Sequence, residues 1–410
     1  MEKLRSRLYI TVFIFAVLSI SFALLSNARQ RDFYYIAVYL GVIGLIIERK
    51  NLTFRKFNIA YPIILLGVVK LIWFLWLGRD ATGYNTYSDQ LGAGKKLLLG
   101  GVLVFYITQC SLYIQAIKCK NVMLAIIGFA FISASLYAFW QFYHGMGRVE
   151  MAVNRATISA YIYSTLSMVC IYLLYLQKKP VCYIIAALAI LLSFVVIILT
   201  GTRAAIILHL LIIALMTVYY FKKIHIKSTL VVLIIAMLAV LSLYKNYIHP
   251  KIEQTYNEVT LYQEGRDNTS LGARFSMWTV GIKNFGNAPF GQTMQSRLNY
   301  SDEFTSENPQ YRTTMEFINV HLHDEMIETL SLQGIFGGLS LLWFYVSICW
   351  VALRERNAPL LFTMNGLIAY GLSDVLLLSS EAILFYIALI AVCSVKTPPK
   401  KIAAQYEKPV

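Results

Sequence analysis

Apolar runs of about 16–22 residues recur from one end of this 410-residue chain to the other, and a run of that length spans a bilayer as one helix. No other feature constrains the fold as much. With hydrocarbon as the solvent, backbone N–H and C=O groups must be satisfied within the protein, and long continuous apolar segments do this as helices. Composition agrees, because 58% of residues are hydrophobic and only 14% charged, too little polar surface for a soluble protein of this size. The pattern predicts an all-α polytopic membrane protein of about 12 spans. They fall near 8–28, 33–47, 58–77, 96–116, 122–142, 156–176, 181–199, 204–221, 228–247, 327–353, 358–376 and 380–395. The first run follows the basic MEKLRSR as a signal peptide would, but it is too long for an h-region and reads as a retained helix.

Charge sets the orientation. With the N-terminus inside, the short inner connections (ERKNLTFRK, KCKN, QKKP, KKIHIK, RERN and the tail KTPPKK), together with MEKLRSR, hold about 20 of the 36 lysines and arginines. SNARQRD runs weakly against this assignment. The net charge of +15 is therefore a topology signal in large part, and no nucleic-acid partner is expected. Three regions follow: spans 1–9 over 1–244, a long outside loop over 245–326 ahead of the tenth span, and spans 10–12 with an inner tail over 327–410. The six cysteines lie in or beside the spans, none in the long loop, and no spacing predicts a disulfide framework or a zinc site there.

Inside the loop, SLGARFSMWTVGIKNF carries Leu271, Phe275, Trp278, Ile282 and Phe285 at helical spacing. Such a helix either lies in the membrane interface or caps the bundle. Arg274 sits roughly 60° from the centre of that stripe and borders the face expected to be buried.

Several cations stand on the outer side, against the positive-inside bias. Arg155 opens a span, Arg203 sits where two spans meet in LTGTRAA, and Lys95 and Lys96 begin the fourth span. Each alone reads as a side chain snorkelling to headgroups. Together with Arg274 they read as a pocket for a phosphate-rich ligand, since guanidinium matches phosphate oxygens two at a time. Lys70, mid-span, either has a functional role or pairs with a helix-borne acid, and Asp374, near the outer end of the eleventh span, is either a candidate acid of the site or the ion-pair partner of one of these arginines.

The stretch EFINVHLHDEMIETLSLQGIFGG holds the remaining chemistry. His321 and His323 are two apart and cannot share a helix face, whereas Glu325 and Glu328 can. No further His or Cys completes metal spacing, so metal is not expected. His321 reads as a cap at a helix entrance. His323 reads as a general base, an imidazole being suited to that work near neutral pH. Gly334, Gly337 and Gly338 would let the following helix pack closely on a neighbour.

Over most of its length the chain resembles the O-antigen ligases of Gram-negative bacteria, within the superfamily that also holds O-antigen polymerases. The likeness is densest in TSLGARFSMWTVGI, LTGTRAA, GLSDV and the histidine stretch. His323 stands at the family's histidine, and Gly334 to Gly337 closes the motif. Asp324 stands where Asn, Ser or Gln is usual, which keeps an acceptor oxygen but adds a charge. The resemblance implies a GT-C-like membrane glycosyltransferase of the inner membrane, with its long loop and active site in the periplasm. It implies transfer of O-antigen from undecaprenyl diphosphate to the outer sugar of lipid A–core within the membrane lipid, with no metal, nucleotide or other cofactor. His323 would activate the acceptor hydroxyl. Arg203 and Arg274 would hold the donor diphosphate, with Arg155 and Lys95 beside them and His321, Asp324 and Asp374 in support. A polymerase with a lipid-linked acceptor is the nearest alternative, and a lipid-linked oligosaccharide transporter is the alternative from another class. Cations at the outer edge, instead of the midplane charges a transporter often carries, favour the enzyme.

Overall fold

The computed structural model describes residues 2–52, 54, 57–78, 85–110, 116–221 and 249–395. Among them every regular element is a helix. In chain order these are α1 (Glu2–Phe22), α2 (Asn27–Glu48), α3 (Ala60–Trp73, continued by a π turn over Phe74–Gly78), α4 (Asn85–Gln109), α5 (Ala116–Tyr143), α6 (Ala156–Tyr175), α7 (Pro180–Leu199) and α8 (Arg203–Phe221). There follow α9 (His249–Gln263), α10 (Ser270–Asn287), α11 (Met294–Glu307), the single turn α12 (Thr314–Phe317), α13 (Glu325–Arg354), α14 (Ala358–Gly371) and α15 (Ser380–Cys393). Short polar side chains start many of them: Ser26, Thr269, Thr293, Asp324, Asn357 and Ser379 each accept a first-turn N–H.

Nine of the described helices are long and apolar enough to cross a membrane, against the twelve spans expected, so the protein is multi-pass. The ninth expected span, 228–247, lies outside the described residues. The last two are corrected: 358–376 and 380–395 become the 14-residue helices α14 and α15, joined by the irregular segment 372–379. At 1.5 Å per residue each covers only about 21 Å, short of a bilayer's hydrocarbon. Continuous apolarity across GLSDVLLLSS hid the break. Acids satisfy the irregular backbone of that segment: Asp374 accepts the Val375 N–H at 2.9 Å and Glu325 the Leu377 N–H at 2.7 Å.

Two helices form the centre. Every residue of α6 except Thr157 and Tyr172 is buried, and so is every residue of α15 from Ala382 on. α15 packs on α4 and α1, and α6 packs on α7. Large apolar side chains such as Ile184, Leu188 and Ile207 stay exposed on the outer helices, the surface a bilayer would cover.

Residues 249–324 are not one amphipathic helix but a small helical layer with its own core of Ala273, Met277, Ile318 and Leu322. The helix expected over the SLGARF segment is present as α10, but its buried face is corrected. Gly272, Ala273, Ser276, Met277, Val280, Gly281 and Asn284 are buried, whereas Leu271, Phe275, Trp278 and Phe285 are half-buried and Ile282 is exposed. The buried row lies roughly 165° around the helix from the apolar stripe. Small residues won the inner face because α10 approaches α13 closely: a methyl at Gly281 would stand 2.4 Å from an Ile327 side-chain carbon.

Candidate active site

The histidine segment is held in place by a buried ion pair. Arg297 of α11 and Glu328 of α13 are wholly enclosed and meet at 3.0 Å. Arg297 also donates to the Ile318 carbonyl at 2.6 Å, and Glu328 accepts the Leu322 N–H at 2.9 Å. The backbone on both sides of His321 is therefore pinned to two charges that neutralise each other. Removing one partner of such a pair costs about 3–5 kcal/mol, because the other is left buried and alone. Leu322 is fully buried, and the histidines on either side of it turn away together, as residues two apart do on extended backbone. Their rings meet edge to face, 4.3 Å between centroids. The helix-face argument that separated them does not apply, since both precede α13. His323 takes a left-handed backbone conformation, φ 51°, which lets the chain swing into the α13 N-terminus. Asp324, not His321, caps that helix, accepting the Ile327 N–H at 2.8 Å. This gives Asp324 a structural task that an Asn or Ser would also perform. Burial pushes its carboxyl upward, against the pull of the two backbone N–H groups.

Asp374 comes from the other side, out of the segment between α14 and α15. Its Oδ1 lies 3.3 Å from His323 Nδ1 and 3.9 Å from His321 Nε2. Its partners are histidines, not one of the arginines. The 3.3 Å contact has ion-pair length but is not aligned as a hydrogen bond, and Nδ1 of both histidines is buried without a hydrogen-bonding partner. Burial alone would raise the Asp374 carboxyl. The His323 and His321 imidazoles and the Val375 N–H outweigh burial and hold it down at about 2. It is a carboxylate throughout the physiological range. His321 is shifted downward, by burial first and by His323 next, with Asp374 opposing. The three side chains offer ligand atoms all within 4.8 Å of one another. The sequence excluded a metal group by linear spacing, and that ground fails once Asp374 is brought alongside.

The cations are distributed unevenly. Arg155 stands immediately before α6, at the opening of the span as the sequence placed it, is exposed, and lies in electrostatic reach of His321 and Asp89. Arg274 is half-buried within reach of the Tyr161 hydroxyl, which bonds Ser373 at 2.9 Å beside Asp374. Arg203, at the start of α8, is engaged by α9: it pairs with Glu258 at 2.9 Å and bonds Thr255 at 3.1 Å. Glu258 also accepts the Leu271 N–H at 3.0 Å, so one carboxylate occupies both a guanidinium and the first turn of α10. Lys95 does not begin its helix but sits three turns into α4 and is exposed, whereas Lys96 is the one that faces Asp89 and Glu381. Arg148 escaped the sequence reading. It is held by the Thr200 carbonyl at 2.9 Å and the Thr202 hydroxyl at 3.2 Å, also within reach of Tyr161. Only its place in a polar connection could have marked it.

Beneath the histidines, Lys70 is buried but donates to the Gln90 side-chain oxygen at 3.2 Å, with Glu325 and Glu328 acting through their fields and not as direct partners. Gln333 donates to the same oxygen at 3.0 Å. Gly334 then breaks α13, with φ 64° and ψ −157°. Backbone freed there is met by the 289–292 loop: Ile335 N–H bonds the Pro289 carbonyl at 2.8 Å and Gln292 N–H bonds the Leu332 carbonyl at 2.9 Å. The Trp73 indole N–H adds a bond to Leu332 at 2.8 Å. Gly334 thus serves a break and a loop docked into it, not the helix packing expected.

Comparison with known proteins bears on the whole chain. The family described as O-antigen ligase matches residues 188–342, from α7 through the histidine segment into α13. An O-antigen ligase of Escherichia coli is 29% identical over 378 residues, covering 90% of this chain and 89% of that protein. An uncharacterized protein of Haemophilus influenzae is 24% identical over 252 residues, covering 59% of this chain and 62% of its own length.

Proposed function

We propose, from the match of residues 188–342 to the O-antigen ligase family and from the relative that covers 90% of this chain, that the chain moves O-antigen onto lipid A–core and that its residues divide the work as follows. His323 is the general base. Asp374, charged and fixed by the Val375 N–H, faces His323 Nδ1 and favours the tautomer with the proton there, which leaves Nε2 to take one from the acceptor hydroxyl. The freed oxygen attacks the anomeric carbon of the donor glycan, and the bond from that carbon to undecaprenyl diphosphate breaks. Asp374 then stabilises the imidazolium without taking its proton.

The leaving diphosphate carries the charge that must be met. Arg274 and Arg148 stand within reach of Tyr161 and Arg155 within reach of His321, and fixed cations in a water-poor site stabilise such charge without reorganising. Arg203 joins them by exchanging Glu258 for a phosphate. Lys95 is exposed and meets headgroups or the outer part of the donor. The reaction belongs at the periplasmic face of the bacterial inner membrane, where the outward stripe of α10 meets lipid.

The observation that carries this reading is the His323–Asp374 pair, brought together by two separate segments inside a chain that matches an O-antigen ligase along nine-tenths of its length. The test is transfer of lipid-linked O-antigen to lipid A–core in proteoliposomes without nucleotide. His323→Ala is expected to lose about 10²–10⁴-fold in rate, as for removal of a general base, while its melting temperature and detergent elution stay unchanged. Transfer by that variant at the wild-type rate would remove His323 from the mechanism. Excess EDTA should leave wild-type transfer intact, and loss of activity restored by magnesium would overturn the metal-free reading.

A further inference from the structure

We propose that His321, His323 and Asp374 also form a binding site for a borderline divalent transition ion of the Zn²⁺ class, and that its occupancy switches transfer off. Their ligand atoms lie within 4.8 Å of one another, the closest pair at 3.3 Å. Tetrahedral zinc with bonds near 2.0–2.1 Å holds its ligands about 3.3 Å apart. One pair already stands at that separation, and the widest needs closure of about 1.5 Å. The set is two imidazoles and one carboxylate, the donors zinc prefers when a position is left for water. The second observation is that His323 Nδ1, 3.3 Å from Asp374 Oδ1, is buried with no hydrogen-bond partner, while His321 turns its Nε2 to the same oxygen at 3.9 Å. Buried polar atoms are rarely left without a partner.

The supporting shell is in place. Asp374 is fixed by the Val375 N–H, and its segment is tied to α13 through Glu325 and Leu377. Leu322, between the histidines, is pinned by Glu328. Such outer contacts orient metal ligands. Arg155 lies near His321 and opposes a cation, so micromolar affinity is expected in place of the tighter binding of a structural zinc site.

Inhibition follows from the tautomer and rests on His323 being the base. A metal on Nδ1 displaces the proton there, and neutral imidazole must then carry it on Nε2. The lone pair that would accept the acceptor's proton is gone, with no net change in the ring's charge.

The experiment uses full-length protein in detergent, free of polyhistidine tag and stripped with chelator. Co²⁺ should give the visible bands of a tetrahedral site, saturating at a single ion per chain and discharged by Zn²⁺. His321→Ala and Asp374→Asn should each lose them while keeping the wild-type melting temperature and elution. In proteoliposomes, micromolar Zn²⁺ should slow wild-type transfer at least tenfold, and EDTA should restore it. Absence of bands, or bands that persist in both variants, overturns the site. Bands without Zn²⁺ inhibition overturn the switch. The spectra need no glycan, so the two readings fail separately: transfer without bands refutes the metal site alone, and bands with no transfer refute the ligase assignment alone.

Discussion

At the scale of the residue, Asp374 decides most. Held near 2, below the ordinary carboxylate range, its charge is present above that range and is lost only as the pH falls through about 2. Between pH 5 and 8 the site therefore always contains one anion beside two imidazoles. Asp374→Asn removes that anion with little change of shape. Transfer should fall about 10²–10⁴-fold, the loss seen when a base loses the group that orients it. A purely structural role for Asp374 would lower the melting temperature together with the rate, whereas loss of the orienting anion lowers the rate alone. Arg203 raises a second question at this scale, since its guanidinium already bridges Glu258 and Thr255. Arg203→Lys keeps the charge but loses the planar fork, and is expected to transfer at least tenfold more slowly in proteoliposomes. A wild-type rate would leave the arginine with the task of holding α9 and nothing more.

At the scale of the element, the break in α13 is the critical feature. Glu325 and Glu328 sit on one side of it, beside the histidines, and the long lipid-facing run lies on the other. Gly334 makes the break with a backbone conformation that costs another residue about 1–3 kcal/mol. A methyl there would also stand 2.4 Å from the Gly291 nitrogen and 2.5 Å from the Pro289 oxygen, so the docked loop has to move as well. Gly334→Ala should lower the melting temperature of the purified protein and reduce transfer together. The methyl of Gly337→Ala would stand 2.4 Å from Gln333 Cβ and 2.9 Å from Thr329 Cγ2, but it lies in regular helix and leaves the docked loop untouched, so it should be milder by the same two measurements. Equal effects would place the importance in helix packing and not in the break.

At the scale of the whole molecule, the layer α9–α12 covers one end of the bundle, and the site lies where that layer meets α6, α13 and the segment after α14. On the proposed orientation, argued from the charge bias of the inner connections, this layer faces the periplasm. Asn299 is exposed on α11, so a cysteine placed there should react with a membrane-impermeant maleimide in intact spheroplasts. Labelling only after lysis would reverse the orientation and put the site on the side away from its acceptor. Much of this arrangement was legible in the linear chain. Apolar run length determined an all-helical, multi-pass bundle, because hydrocarbon leaves the backbone few other solutions. The histidine motif and several of the outward cations pointed to the region where the proposed site is assembled, since charge at a membrane edge is costly without a task. Linear spacing could not show that a carboxylate fifty-one residues after His323 turns back to face it, that α14 and α15 stop short, or that the apolar stripe of α10 faces outward. Those depend on which backbone groups find partners and which surfaces can approach closely. Hydrophobicity reports only the free energy of leaving water, and it is equal for a side chain that meets lipid and one that meets another helix.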